Sequence, residues 1–162
     1  MAARRVLFFA FLMVSGTFAH AASQAKTQDS VNEFMRVEQL LGKARTLRCQ
    51  FPKGSTLTLT DREPTRHSSP GVDVTFDSID RQQGRARIVT KTGAGDVRIL
   101  SGHTALTFVE ISDSGNPLVT VVFPRFRTGT REFLAVDSEH IYVPLDGSVT
   151  AAQYYGSCVA LQ

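Results

Sequence analysis

The chain has 162 residues, 20% of them charged, and a formal net charge of +3 at pH 7. Its first 21 residues hold two arginines and no acid, so the rest of the chain carries a net charge of only +1. A chain so close to neutrality offers no global electrostatic basis for binding nucleic acid or an anionic membrane. The remaining length of about 140 residues is enough for one domain with its own core.

The N-terminal segment is typical of a secretory signal peptide. Arg4 and Arg5 precede an apolar run over residues 6–14, and Ala-His-Ala at residues 19–21 provides an A-x-A cleavage site. The apolar run is about half of the roughly 20 residues that a membrane-spanning helix needs, so we expect no stable membrane anchor. We therefore expect residues 1–21 to be removed and the protein to be periplasmic or secreted.

One short amphipathic helix is predicted after a flexible leader at residues 22–29. Ser30 and Glu33 have the spacing of a capping box, and apolar residues then recur at helical intervals. The pattern predicts a helix over about residues 31–41 whose apolar stripe packs on the domain.

After the helix, apolar and polar residues alternate, as in antiparallel strands with one wet face. Leu47, Cys49 and Phe51 share one side of the first segment. The later segments with strand character are STLTLT, VDVTFD, RARIVTK, DVRIL, TALTFVEI, LVTVVF and REFLAV. Short strands with short connections predict a single all-β domain over residues 30–162, a small antiparallel up-and-down barrel of about eight strands with one short N-terminal helix. A β-sandwich is the alternative.

Cys49 lies in the first predicted strand, and Cys158 lies in a C-terminal strand predicted after residues 144–153. In an exported chain such a pair most often forms one structural disulfide, and two buried free thiols are the alternative. If the two strands are neighbours, the first and last strands meet and the sheet closes without exposed edges. We therefore expect a disulfide that holds the last strand against the first.

Three longer loops are predicted, at residues 61–71, 124–131 and 144–153. The middle loop is basic and is the strongest candidate for a binding surface, because arginines beside an aromatic ring suit an anion, a polysaccharide or a protein. An ordinary hairpin with solubilising arginines is the alternative. In the tail, we expect one of two tyrosines to pack inward and the other to face water. The candidate binding residues are Arg125, Phe126, Arg127, Arg131, Tyr154 and Tyr155.

No reaction chemistry is evident in the sequence. The histidines His67, His103 and His140 are far apart and lack metal-ligand spacing, and no nucleophile elbow or phosphate-binding glycine loop is present. Asp73 and Asp77 share a strand face, where we expect cross-strand charge pairs with neighbouring arginines. We therefore predict no catalytic residue, no metal and no cofactor.

Residues 48–162 resemble a group of uncharacterised exported bacterial β-proteins. The shared features are a C-x-F-x-x-G motif from Cys49, a central LTFVE followed by GN, and a Q-Y-Y-G-x-C tail that ends at Cys158. In outline the chain also resembles the periplasmic C-type lysozyme inhibitors, small β-barrels whose disulfide holds a terminal strand. Their S-G-x-x-Y loop has no equivalent tyrosine here, because His-Thr-Ala follows Ser-Gly at residues 101–102. Inhibitory residues are therefore not transferred.

The sequence predicts an exported, non-enzymatic, monomeric β-barrel that binds a protein or a small ligand. A lysozyme-inhibitor-like protein or a carrier similar to lipocalins is an alternative, and the carrier requires an apolar cavity inside the barrel. The positions of Phe76, Phe108 and Phe123 decide whether these rings fill the barrel interior or line a cavity within it.

The first alternative to the binding protein, ahead of the carrier, is an enzyme, a periplasmic hydrolase acting on envelope material. It would combine His103 or His140 with a carboxylate from Glu110 or Asp137. Such a site requires the tertiary structure to bring these residues together.

Overall fold

The computed structural model describes residues 17–60 and 63–161, with side chains described from residue 27 onward. The elements in chain order are α1 (Thr17–Lys43), β1 (Thr46–Leu59), β2 (Thr65–Asp80), β3 (Arg85–Val89), β4 (Ala94–Ser101), β5 (Leu106–Ile111), β6 (Pro117–Phe126), β7 (Phe133–Val143) and β8 (Ser148–Leu161). Each strand pairs antiparallel with the next, and β8 returns to pair with β1. The predicted all-β up-and-down barrel is therefore confirmed, and the β-sandwich alternative is wrong.

The inside of the barrel follows the strand periodicity of the sequence. Leu47, Cys49 and Phe51 of β1 are completely buried, whereas Gln50 between them is exposed. β1 also joins two predicted strands, TLRCQF and STLTLT, with a register shift between Gln50 and Lys53. Further alternating positions buried in the same core are Val74, Phe76, Ala86, Ile88, Val97 and Ile99. The part of the interior that these residues occupy is thus a packed core.

The pairing of β1 with β8 closes the barrel, and the disulfide joins these two strands. Cys49 and Cys158 are direct cross-strand partners in β1 and β8, their Cα atoms are 4.0 Å apart, and the bridge spans 109 positions of sequence. Gly156 allows β8 to approach β1 closely, because an added Cβ would overlap the carbonyl oxygen of Gln50. Both the predicted disulfide and the predicted meeting of first and last strands are confirmed.

Helix α1 begins earlier than the sequence pattern predicted. It starts at Thr17, so residues 22–29, expected to be a flexible leader, are helical. Ala, Gln and Lys in this stretch favour a helix, and neither glycine nor proline interrupts it. Ser30 and Glu33 consequently lie inside the helix and do not mark its start. Residues 1–16 of the predicted signal peptide lie outside the described residues.

The chain divides into two compact units after Glu33. The first contains the helical residues 17–33. The second contains the rest of the helix and the barrel, and there Val37 and Leu41 are buried in one hydrophobic core with barrel residues. The term "helix end" denotes the end of the barrel where β1 begins.

The three predicted loops are shorter than expected because strands extend into them. β2 begins at Thr65, so most of the loop predicted at 61–71 is strand paired with β1. β6 and β8 likewise extend into the loops predicted at 124–131 and 144–153. The N-terminal half of β2 carries mainly Thr, Arg, His and Ser, so it lacks the apolar alternation that identifies a strand in a sequence.

Candidate functional site

The predicted basic surface is only partly a loop, and its aromatic ring is in contact with the rest of the protein. Phe126 ends β6, and its ring centroid lies 5.0 Å from that of Phe133. The guanidinium carbon of Arg36 lies 6.0 Å from the Phe126 centroid. Arg127 Nη1 lies 3.6 Å from Glu132 Oε2. The other two arginines of the predicted site, both exposed, are Arg125 and Arg131.

The two tyrosines of the predicted site point to opposite sides of β8. Tyr154 is 7% exposed and Tyr155 is 61% exposed, as the alternation of successive side chains in a strand requires. The Tyr155 hydroxyl donates a 3.0 Å hydrogen bond to Gln153 Oε1. The prediction that one ring packs inward is confirmed, and only Tyr155 belongs to the outer surface.

The three histidines lie in separate places. His103 is in the β4–β5 loop at the helix end, where its Nδ1 lies 3.9 Å from Glu38 Oε1. His140 is exposed on β7, and His67 Nε2 lies 3.2 Å from the Thr65 hydroxyl on β2. These imidazoles therefore share no site. None of them is among the described residues that line the cavity at Glu110 and Asp137, so the site of the hydrolase alternative is not formed.

Glu110 and Asp137, the two carboxylates of the hydrolase alternative, do come together inside the barrel, and Glu139 joins them. They face a cavity of about 80 Å³ whose other described lining residues are mostly apolar side chains of β2 to β6. No basic side chain is among the described residues that line it. The polar residues of the lining are Thr90, Glu110, Thr120, Asp137 and Glu139.

Strand register explains why three carboxyl groups converge. Asp137 and Glu139 are two residues apart on β7 and therefore point to the same face of the sheet. Leu118 on β6 pairs with Glu110 on one side and with Glu139 on the other. Cross-strand partners share a face, so the two glutamates lie in one inward row.

The aromatic core lies next to this cavity. Phe76 and Phe108, which also line it, are 1% exposed, and their rings stack with centroids 3.9 Å apart. Phe123, by contrast, is 36% exposed on the outside. Two of the three phenylalanines therefore fill the interior, which leaves a small cavity and not a large apolar one.

Burial raises the pKa of all three carboxyl groups above their ordinary values. For Asp137, which is 6% exposed, desolvation is the main cause, and a 2.5 Å hydrogen bond donated by the Thr120 hydroxyl to Oδ1 acts in the opposite direction. The pKa values of Glu110 and Glu139 are raised first by desolvation and then by the negative charge of Asp137. The pKa of the Tyr154 phenol is raised by burial and next by Glu139. At the cavity itself, desolvation of the three carboxyl groups opposes their ionisation, and for Glu110 and Glu139 so does the charge of Asp137.

Part of this cluster was predicted from the sequence. Glu110 and Asp137 were proposed only as partners of a histidine, and Glu139 was not proposed. The available signal was the segment FLAVDSEHIYV, whose alternation places Asp137 and Glu139 on the same side as Phe133 and Ala135. The signal is weak, because Leu134 and Val136 make the opposite side apolar as well. Acids at inward positions are rare unless they have a partner or a function.

The described residues contain no group of three or more His, Cys, Asp or Glu side chains arranged to hold a metal ion. Within the same described ranges, no helix combines the length and apolar character needed to cross a lipid bilayer. No family model, curated protein or solved structure matches this chain.

Proposed function

We propose that this protein is an exported, monomeric, non-enzymatic binding protein whose cavity holds a small positively charged group. The supporting observation is that Glu110, Asp137 and Glu139 meet at one interior cavity whose described lining has no basic side chain. Like charges repel strongly in a medium of low effective dielectric, and a bound cation relieves that repulsion. An ammonium or guanidinium group, which donates charge-assisted hydrogen bonds to carboxylates, suits this site.

The size of the cavity restricts the ligand. A volume of about 80 Å³ is well below the roughly 300–1,000 Å³ of pockets for drug-sized molecules. Val72, Val74 and Leu118 add apolar surface suited to methyl or methylene groups. The best match is a small alkylammonium ion or the cationic end of a longer molecule, and this favours a head-group site over a lipocalin-like carrier.

The positions of the histidines favour binding over hydrolysis. A hydrolase built from His103 or His140 needs an imidazole close to the carboxyl groups, but both side chains are exposed away from the cavity. The disulfide between Cys49 and Cys158 fits an oxidising extracellular compartment. It therefore supports a periplasmic or secreted location, which the predicted signal peptide also favours.

Isothermal titration of the mature protein with methylammonium chloride, at constant ionic strength, tests this function. We expect saturable binding at neutral pH that weakens as the pH falls, because protons compete for the carboxylates. Asp137→Asn and Glu139→Gln should each weaken binding about tenfold or more, since a hydrogen bond to a charged group contributes about 1.5–3 kcal/mol. The matched control is Asp113→Asn, which changes an exposed acid between β5 and β6 and should bind as the wild type does.

Two results would contradict the proposal. One is the absence of saturable methylammonium binding to the wild-type protein. The other is equal affinity of Glu139→Gln and Asp113→Asn, which would place binding outside the cavity. Hydrolysis of envelope glycan that disappears on alanine substitution of both His103 and His140 would support the hydrolase instead.

A further inference from the structure

The outer face of β2, β3 and β4 carries two neighbouring rows of charged residues, and they differ in balance. In the first row Arg87 pairs across the sheet with Asp77 on one side and Asp96 on the other. Arg87 donates from Nε and Nη2 to the two carboxylate oxygens of Asp77 at 2.9 and 2.7 Å. The charge of Arg87 is therefore satisfied within this row, which has two carboxylates for one guanidinium group.

The second row brings two arginines together. Arg85 and Arg98 are direct cross-strand partners on β3 and β4, and both are exposed. Asp80 pairs with Arg85 on the other side, but its Oδ1 accepts hydrogen bonds from the backbone N–H groups of Gln82 and Gln83. Neither Arg85 nor Arg98 forms an ion pair with any carboxylate in the described part of the chain. Like charges directly opposite one another destabilise a sheet, and this row has two guanidinium groups for the single carboxylate of Asp80.

A surface groove of about 750 Å³ runs along these residues. Arg85, Arg87 and Arg98 line it together with the carboxylates Asp80 and Asp96, so its charged lining has an excess of one positive charge. Beyond Arg98 the groove continues over Val109 and the 61% exposed Ile111. Two guanidinium groups side by side present several N–H donors in a fixed fork geometry, which suits the oxygens of a phosphate group. The groove thus combines two guanidinium groups that form no ion pair within the described ranges, an excess of one positive charge and an apolar border.

We propose that the groove between Arg85 and Arg98 is a phosphate-binding site, in which one phosphate group bridges the two guanidinium groups. This site lies on the outside of the barrel and is independent of the interior cavity. The phosphate group supplies the negative charge that the second row lacks, while Arg87 stays paired with Asp77. The same chemistry is offered by a free phosphate compound and by the head group of an anionic phospholipid.

Titration of the full mature protein with inorganic phosphate, against chloride at equal ionic strength, tests the site by calorimetry and by melting temperature. We expect saturable binding and a rise in melting temperature with phosphate. Arg85→Gln and Arg98→Gln should each weaken phosphate binding roughly tenfold or more. Without phosphate, each should melt slightly above the wild type, by roughly 1–3 °C, because the repulsion is removed. Arg66→Gln, an exposed arginine elsewhere on β2, is the matched control and should change neither quantity.

A second arm distinguishes the source of the phosphate group. Vesicles of phosphatidylglycerol and phosphatidylcholine are compared with phosphatidylcholine alone in a sedimentation assay. Binding to inorganic phosphate without vesicle binding indicates a free phosphate compound, and vesicle binding that Arg98→Gln abolishes indicates a lipid head group. The proposal is overturned if neither form binds, or if Arg85→Gln, Arg98→Gln and Arg66→Gln all bind phosphate as the wild type does.

Discussion

Thr120 on β6 and Asp137 on β7 are direct cross-strand partners, and the Thr120 hydroxyl donates a 2.5 Å hydrogen bond to Asp137 Oδ1 inside the barrel. The two residues are 4% and 6% exposed. The hydrogen bond offsets part of the cost of burying a carboxylate, yet the pKa of Asp137 remains raised. The barrel therefore holds an acid whose ionisation opposes folding.

Asp137 should make the stability of the barrel fall as the pH rises. Its pKa in the folded protein lies above the ordinary 3.8, so between the two values the folded state binds more protons than the unfolded state. The stabilising contribution is fully present below the ordinary pKa and is lost as the pH rises through the raised one. In urea unfolding, Asp137→Asn should therefore gain stability relative to the wild type as the pH increases.

The control for this measurement has the opposite sign. The pKa of Asp146 is lowered, chiefly by the hydrogen bond from the backbone N–H of Ser148. Its contribution is present above the ordinary pKa and is lost as the pH falls through the lowered one. Asp146→Asn should thus lose stability relative to the wild type as the pH increases. Parallel pH profiles for the wild type and Asp137→Asn would show that Asp137 does not titrate as described.

The disulfide between Cys49 and Cys158 should contribute strongly to stability. Because it closes a 109-residue separation, the chain-entropy model gives an upper value of about 4–5 kcal/mol, and loss of a native bridge commonly costs about 2–5 kcal/mol. Alanine is the suitable replacement, since both positions are completely buried. Cys158→Ala should lower the free energy of unfolding by this amount, measured by urea denaturation.

The same pair provides its own internal test. Once one cysteine is gone the bridge cannot form, so the Cys49→Ala, Cys158→Ala double variant should be only slightly less stable than either single variant. Adding a reductant should lower the stability of the wild type and leave the single variants unchanged. A wild type that unfolds at the same urea concentration with and without complete reduction would refute the stabilising role.

Phe108 should be among the most sensitive positions of the core. Its ring is 1% exposed and stacks on Phe76, so Phe108→Ala removes buried apolar area and leaves a cavity, at a cost of about 3–5 kcal/mol. Phe123→Ala removes a ring that is 36% exposed and should cost clearly less. Urea denaturation of both variants checks the difference, and similar losses would contradict the assignment of Phe108 to the interior and Phe123 to the outside.

The barrel could be predicted because its main signals are local. The alternation of Leu47, Cys49 and Phe51 with polar residues identifies an inward face regardless of what the strand pairs with. The first half of β2, from Thr65, could not be predicted in this way, because its polar side chains show no inward face and its strand conformation depends on pairing with β1. The early start of α1 was missed because Ser30 and Glu33 have a capping pattern that a helix interior also permits.

The candidate sites show where local information ends. Successive side chains of a strand alternate, so the order of residues is enough to predict that Asp137 and Glu139 share one face of their strand. The same holds for Arg85 and Arg87 on theirs. Pairing between strands is needed to place Leu118 between Glu110 and Glu139 and to set Arg98 opposite Arg85. The physical reason is that alternation is a property of one strand, whereas register is set by the hydrogen bonds of all eight strands in a sheet that closes on itself.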